Sequence, residues 1–209
     1  MNLIMAGIGT DVGKTVVSAI VCEALQSDYW KPVQAGALDN TDSHVVERLL
    51  SAGSTVVHPE VYRLSEPISP HAAAAIDDVE ITLNKLTAPL SSRGHLVIEL
   101  AGGLMVPLSE QLSTMDLVQY LNCPVILVAN YYLGSINHTL LSLHLLRAQG
   151  VEVMGVIFNG EPNHQSRDII LKQGATPILA DIPFADKLDA TFIQAHAKKL
   201  LKHPAMARL

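Results

Sequence analysis

Short apolar runs rich in β-branched residues recur at 2–6, 29–34, 95–100, 124–130, 151–159 and 176–182. Each is bounded by turn residues and too short for a stable helix, which predicts buried strands. Between them, apolar residues return at helical spacing over 14–26, 42–52, 81–92, 135–149, 165–173 and 190–202, and helices are predicted there. Strands alternating with helices of this length imply right-handed βαβ units. The expected class is therefore α/β, a mostly parallel sheet flanked by helices on both faces in a three-layer, Rossmann-like arrangement. Ligands of such sheets bind outside the carboxyl ends of the strands. Residues 55–78, with Pro59, Pro67 and Pro70, read as one long loop, and loops of that length inside a domain are often functional.

Composition agrees. Hydrophobic residues make up 49% of the chain and aromatics 4%, which suits strands covered on both faces. A chain of 209 residues with no repeat or linker reads as a single domain over 1–209. The net charge of -6, with scattered basic residues, leaves no electrostatic footprint for nucleic acid or an anionic membrane. No apolar stretch approaches the roughly 20 residues that span a bilayer, and the N-terminus has no basic flank of the signal-peptide kind. A cytoplasmic protein is expected. Cys22 and Cys123 lie far apart in apolar segments and are expected to be reduced, buried small hydrophobes. The nine histidines have no compact metal-ligand spacing.

The strongest chemical signal follows the first strand: Gly7-Ile8-Gly9-Thr10-Asp11-Val12-Gly13-Lys14-Thr15, running straight into a helical segment. Glycines let backbone N–H groups approach phosphate oxygens, the helix N-terminus adds partial positive charge, and a lysine reaches the outer phosphates. Thr15 would offer its hydroxyl to magnesium. The spacing departs from G-x-x-x-x-G-K-[ST], because Ile8 stands where the first glycine belongs and Gly7 comes one residue earlier; a longer phosphate loop is implied.

Nucleotide-bound magnesium takes hard oxygen ligands, usually one or two carboxylates beside the loop hydroxyl. Glu99 closes the apolar run 95–98 and opens a glycine turn, so it is expected at a strand's carboxyl end, where an acid of this kind belongs. Asp42, in Asn40-Thr41-Asp42-Ser43, reads from spacing alone as a helix N-cap.

The extended loop with Asp11-Val12 before Gly13-Lys14-Thr15 resembles the G-T-D-T-[ED]-V-G-K-T loop of dethiobiotin synthetases. Further pieces follow in that family's order. Lys31-Pro32-Val33-Gln34-Ala35-Gly36 resembles K-P-V-x-[ST]-G, Thr41-Asp42-Ser43 resembles S-D-A, and Glu66-Pro67-Ile68-Ser69-Pro70-His71 resembles E-P-x-S-P-H. Glu99-Leu100-Ala101-Gly102-Gly103 is similar to E-G-A-G-G, and Leu133-Gly134-Ser135-Ile136-Asn137-His138 to L-G-[CT]-I-N-H. Asn159 resembles an adenine-contacting Asn, and Ile182-Pro183-Phe184 the I-P-W segment beside the base.

The resemblance, which covers about residues 3–185, implies a P-loop NTPase fold and a set of roles. Asp11, Val12, Gly13, Lys14, Thr15, Val16, Asp42, Glu99, Leu100, Ala101, Gly102, Asn159, Gly160, Pro183, Phe184 and Ala185 would bind ATP. Lys31, Ala35, Gly134, Ser135 and Asn137 would bind substrate, the last three in the other subunit's site across a homodimer interface. Mg2+ would sit on Thr15, Asp42 and Glu99, and Lys31 with Lys14 would be catalytic. The implied reaction joins 7,8-diaminononanoate and carbon dioxide through a carbamate and a carbamic–phosphoric anhydride, closing the ureido ring of dethiobiotin. Three departures stand out: Ile8-Gly9 for Thr-Asp, Leu100 for a glycine, and Ala35 for a substrate-binding hydroxyl, a loss on the order of 1 kcal/mol. Ser69 and His71 are weaker candidates, since polar residues flanked by proline often only cap loops.

The alternative from another class is an ATP-driven dimerisation switch of the partitioning-ATPase type. Such proteins carry a further lysine early in the loop, where this chain has Ile8 and Gly9. A relative of the cobyrinic acid synthases would need a glutamine-hydrolysing domain with a nucleophilic cysteine, and a degenerate homologue has only Ala35 and Leu100 in its favour.

Overall fold

Apolar residues on both sides of a strand must be covered on both sides, and the chain does this with one parallel sheet between two helical layers. The computed structural model describes residues 1–51, 53 and 55–208. Its central sheet contains β1 (Asn2–Gly7), β2 (Asp28–Trp30), β4 (Val57–His58), β6 (Leu96–Gly103), β7 (Val125–Asn130), β8 (Val153–Asn159) and β9 (Ile178–Ile182). Their order is β4-β2-β6-β1-β7-β8-β9 and every pairing is parallel.

Side-chain alternation divides the core in two. Leu3, Met5, Tyr29, Val97, Ile126 and Val128 face α1 (Lys14–Leu25), α2 (Asp42–Leu49) and α7 (Ala190–Leu200). Ile4, Ala6, Trp30, Ile98, Leu100 and Leu127 face the opposite layer. That layer holds α3 (Pro70–Ile76), α4 (Thr114–Leu121), α5 (Ser135–Ala148) and α6 (His164–Gly174).

The expected strand 29–34 is two strands. Proline has no N–H to give to a ladder, and at Pro32 the chain leaves the central sheet. Val33–Ala35 (β3) pairs instead with Tyr62–Leu64 (β5) in a separate parallel pair, while the Pro32 carbonyl accepts from Val61 and Tyr62 N–H. Lys31 therefore stands at the fork between the two sheets.

The segment expected as one long loop, 55–78, contains β4, β5 and α3. Its strands have two and three residues, too few to display alternation, and Pro70 occupies the first turn of α3, where its missing N–H costs nothing. The helix expected over 81–92 reduces to a 3₁₀ turn, Leu83–Lys85, since Pro89 forbids a helix interior. Conversely, α4 was not expected, although Ser113 and Asp116 form a capping box at its start. The helix expected over 42–52 stops at Leu49; its last expected residue, Ala52, lies outside the described residues. Of the cysteines, Cys22 is buried and Cys123 only half-buried.

Although irregular, the 81–92 segment anchors the core through Leu86, which is 0% exposed, whereas Leu90 is 95% exposed. Leu86→Ala is expected to lower stability by about 2–5 kcal/mol, and Leu90→Ala to stay within about 0.5 kcal/mol of the parent. Urea denaturation of both variants checks this; equal values would mean the segment does not pack as described.

Candidate active site

β1 ends at Gly7 and α1 begins at Lys14, so the intervening residues turn sharply over the sheet's carboxyl edge. Gly7 is required by crowding: a Cβ there would lie 2.8 Å from the Gly9 carbonyl oxygen and 2.9 Å from Lys14 Nζ. Gly13 caps α1 at φ 85°, with no side-chain capping bond, and the first turn of the helix carries no acid. The free N–H groups and positive end of α1 thus face the loop cavity. Lys14 folds back to donate to the Gly9 carbonyl at 3.0 Å. Burial lowers its pKa, with the nearby charge of Glu99 working in the opposite direction.

Beside this loop, four side chains from four parts of the chain meet. Thr15 Oγ1 lies 2.7 Å from Asp42 Oδ1 and 3.1 Å from Glu99 Oε1, in position to donate to either. Lys31 Nζ donates to Asp42 Oδ2 and, at 3.3 Å, to Glu99 Oε1. Lys31 is 6% exposed and Glu99 1%, so these charges interact with little screening. Burial alone would lower the Lys31 pKa, but Glu99 and Asp42 outweigh it and the pKa is raised. Burial alone would raise the Asp42 pKa, but Lys31 outweighs it and the pKa is lowered.

Two local features direct the acids. Thr41, not Asp42, is the N-cap of α2: its side chain accepts from His44 N–H, and His44 Nδ1 accepts from Thr41 N–H. The expected cap role for Asp42 is thus overturned and its carboxylate is free to face Thr15. Glu99 is not at the end of its strand, since β6 runs on to Gly103. Regular pairing with β1 nevertheless stops at Met5↔Glu99 and resumes, shifted, at Gly7↔Gly103, because the stretch after the acid bulges. A hydroxyl and two carboxylates converging at these distances form a hard-oxygen donor set suited to a divalent cation.

These groups line one cleft of about 810 Å³ together with Asp11, Gly13, Val16, Ala35, Ala101 and Gly102. Thr10 and Ser69 also line it, and Ser69 Oγ lies 3.0 Å from His71 Nδ1, on the exposed surface. Some expected residues lie elsewhere. Val12 is buried in the core, and Leu100 points into the opposite core at 1% exposure, so its side chain is not available to a nucleotide. Asn159 Nδ2 reaches the Val12 carbonyl at 3.4 Å, which brings the end of β8 against the phosphate loop. Gly160 N–H donates to the Ile182 carbonyl; beyond it come Pro183, the exposed Phe184 and Ala185. Gly134, Ser135 and Asn137 start α5 and do not line the cleft of their own chain. Ser135 Oγ is buried without a hydrogen-bond partner among the described residues.

Two contributors had no signal in the spacing. The Tyr29 hydroxyl donates to Glu99 Oε2 at 3.0 Å. Gln34 donates to the Gly36 carbonyl at 2.9 Å and accepts from Asp42 N–H at 3.4 Å, tying β3 to the start of α2.

A family model described as an AAA domain matches residues 1–191. An ATP-dependent dethiobiotin synthetase BioD of Cytophaga hutchinsonii is 45% identical over 196 residues, which is 94% of this chain and 95% of that protein. A protein of the same description from Christiangramia forsetii is 44% identical, with 95% of each covered. Among solved structures, the septum site-determining protein MinD of Pyrococcus horikoshii, complexed with Mg-ADP, superposes with a TM-score of 0.57 at 16% identity, covering 97% of each chain. A plasmid partition protein of Borrelia burgdorferi bound to AMPPNP gives 0.61 at 10% identity, covering 99% of this chain and 98% of that one. At such identities the likeness shows the P-loop NTPase fold alone.

Proposed function

The chain belongs to the ATP-dependent dethiobiotin synthetase family, and from that premise we propose that it closes the ureido ring of dethiobiotin from 7,8-diaminononanoate, carbon dioxide and ATP. The observation that carries this reading beyond ATP binding is Lys31, a buried cation held in the same cleft as the loop lysine and the two acids.

In this reading the α1 N-terminus and Lys14 hold the phosphates of ATP. Asn159 faces the base, with Gly160, Pro183, Phe184 and Ala185 around it. Mg2+ fits the Thr15, Asp42 and Glu99 oxygens, and when bound it supplies positive charge to the nucleotide's phosphates. Lys31 receives the carbamate formed on one substrate amine, and Lys14 steadies the γ-phosphate that the carbamate oxygen attacks. Two anions meet there, so buried, preorganised ammonium groups are what lower the barrier. The neighbouring amine then attacks the mixed anhydride, and phosphate leaves as the ring closes. Ala35 offers the substrate no hydroxyl; Ser69, on the same cleft, stands in for it.

The working unit in this reading is a homodimer of single-domain subunits, Gly134, Ser135 and Asn137 completing the partner's substrate site. The neighbouring Leu133, as exposed as a free side chain, and the half-exposed Tyr132 support an apolar contact there. A cytoplasmic setting agrees with ATP use and with two free cysteines.

The test is to incubate the protein with 7,8-diaminononanoate, bicarbonate, Mg2+ and ATP and to assay dethiobiotin. Product formation with phosphate release dependent on the diamine is expected. Phosphate release indifferent to the diamine, with no ring product, would sink the synthetase reading in favour of a nucleotide-driven switch.

A further inference from the structure

Glu99 has two oxygens with different surroundings. Oε1 faces Thr15 at 3.1 Å and Lys31 at 3.3 Å. Oε2 is turned into the protein, where among the described residues the Tyr29 hydroxyl is its hydrogen-bond donor, at 3.0 Å. The contact follows from sheet register. Tyr29 is level with Val97 where β2 and β6 run parallel, so Glu99, two residues on, is the diagonal neighbour on the same face, within reach of a long side chain. Tyr29 is 0% exposed and its ring packs in the core beneath α1, so its hydroxyl has little freedom to point elsewhere.

We propose that Tyr29 is a positioning residue for the cation site, holding the Glu99 carboxylate in the rotation that aims Oε1 at Thr15. The proposal rests on the reading of Glu99 as a magnesium ligand. A carboxylate on a strand turns about its terminal torsion with little resistance, and a donor fixed behind one oxygen removes that freedom. Outer partners of metal ligands act in this way, and their loss typically costs 10–100-fold in metal affinity or activity. A phenol with an ordinary pKa of about 10 is protonated at neutral pH, so the Tyr29 hydroxyl is a donor there.

Tyr29→Phe removes one oxygen and keeps the ring. Binding of a non-hydrolysable ATP analogue is measured by calorimetry with Mg2+ and with EDTA, for the parent, Tyr29→Phe, Glu99→Gln and the double variant. The gain in affinity that Mg2+ confers is expected to shrink about 10-fold in Tyr29→Phe, with affinity in EDTA unchanged. The tyrosine substitution should add nothing once Glu99 is Gln. If Glu99→Gln keeps the full Mg2+ gain, the assignment of Glu99 as a ligand is wrong. If it loses the gain while Tyr29→Phe retains it, only the inference about Tyr29 falls. Equal weakening with and without Mg2+, or loss of a cooperative melt in Tyr29→Phe, makes the tyrosine a packing residue and overturns the proposal.

Discussion

Replacing Lys31 with methionine is expected to lower kcat by on the order of 10²–10³ while nucleotide affinity stays close to that of the parent. Methionine keeps most of the stem and removes the ammonium, so the comparison isolates charge. Lys31 comes from the fork after β2 and not from the phosphate turn itself, and its hydrogen bonds go to Asp42 and Glu99. Its removal leaves the buried Glu99 and the half-buried Asp42 near Thr15 with no ammonium between them. Like charges so placed repel, and the variant should melt at a lower temperature than the parent, with most of the loss recovered on adding Mg2+. The sign of the pH dependence follows from the raised pKa of Lys31. Its contribution to the parent's stability is fully present below its unfolded value of about 10.4 and is lost as pH rises through the higher folded value. Lys31→Met should lack that alkaline loss. Steady-state kinetics with nucleotide titration decide the matter: collapse of nucleotide affinity in Lys31→Met would mean that the lysine holds ATP and not the carbamate.

Much of this site was legible along the chain because its chemistry is local. The phosphate loop announces itself through glycines followed by Lys14 and Thr15 at a strand–helix junction, and the structure has that junction. Glu99 was legible as an acid interrupting an apolar run, although the strand continues past it. What spacing could not show was anything made by distant segments. Asp42 read as a helix cap because a cap and a cation ligand use the same residue type; only the Thr41–His44 capping box reveals that the cap role is taken. Tyr29 read as one more apolar strand residue, and its hydroxyl gains meaning only once β2 lies beside β6. The two-strand pair β3–β5 was hidden for a similar reason: three-residue strands carry no period, and Pro32, which creates the fork, looked like an ordinary member of a longer strand. Where periodicity and breaker residues conflicted, as at Pro89, the breaker prevailed.

The tightest constraint in the cleft is steric, and it predicts a sharp contrast between two glycines. Gly13 and Gly94 have nearly the same backbone angle, φ +85° and +86°. Alanine at either position must adopt a left-handed conformation, at about 1–2 kcal/mol. A Cβ on Gly94 would meet nothing within 4 Å, so Gly94→Ala should cost that strain and no more. A Cβ on Gly13 would fall 1.9 Å from Asn159 Nδ2 and 2.7 Å from Asn159 Cγ. The Asn159 amide must swing off the Val12 carbonyl, or the phosphate loop or the end of β8 must move, adding up to about 1–3 kcal/mol of overpacking. On the proposed reading the displacement would reach function from two sides, because the loop's N–H groups would face the phosphates and Asn159 the base. A shift of about 1 Å in a reacting group can lower turnover 10²-fold, and a loss of that order is expected in Gly13→Ala, with Gly94→Ala as active as the parent. Urea denaturation separates strain from clash, and nucleotide titration locates the damage. If Gly13→Ala matched Gly94→Ala in stability and bound ATP normally, the close packing of the phosphate loop against Asn159 would be wrong, and with it the placement of the base beside β8.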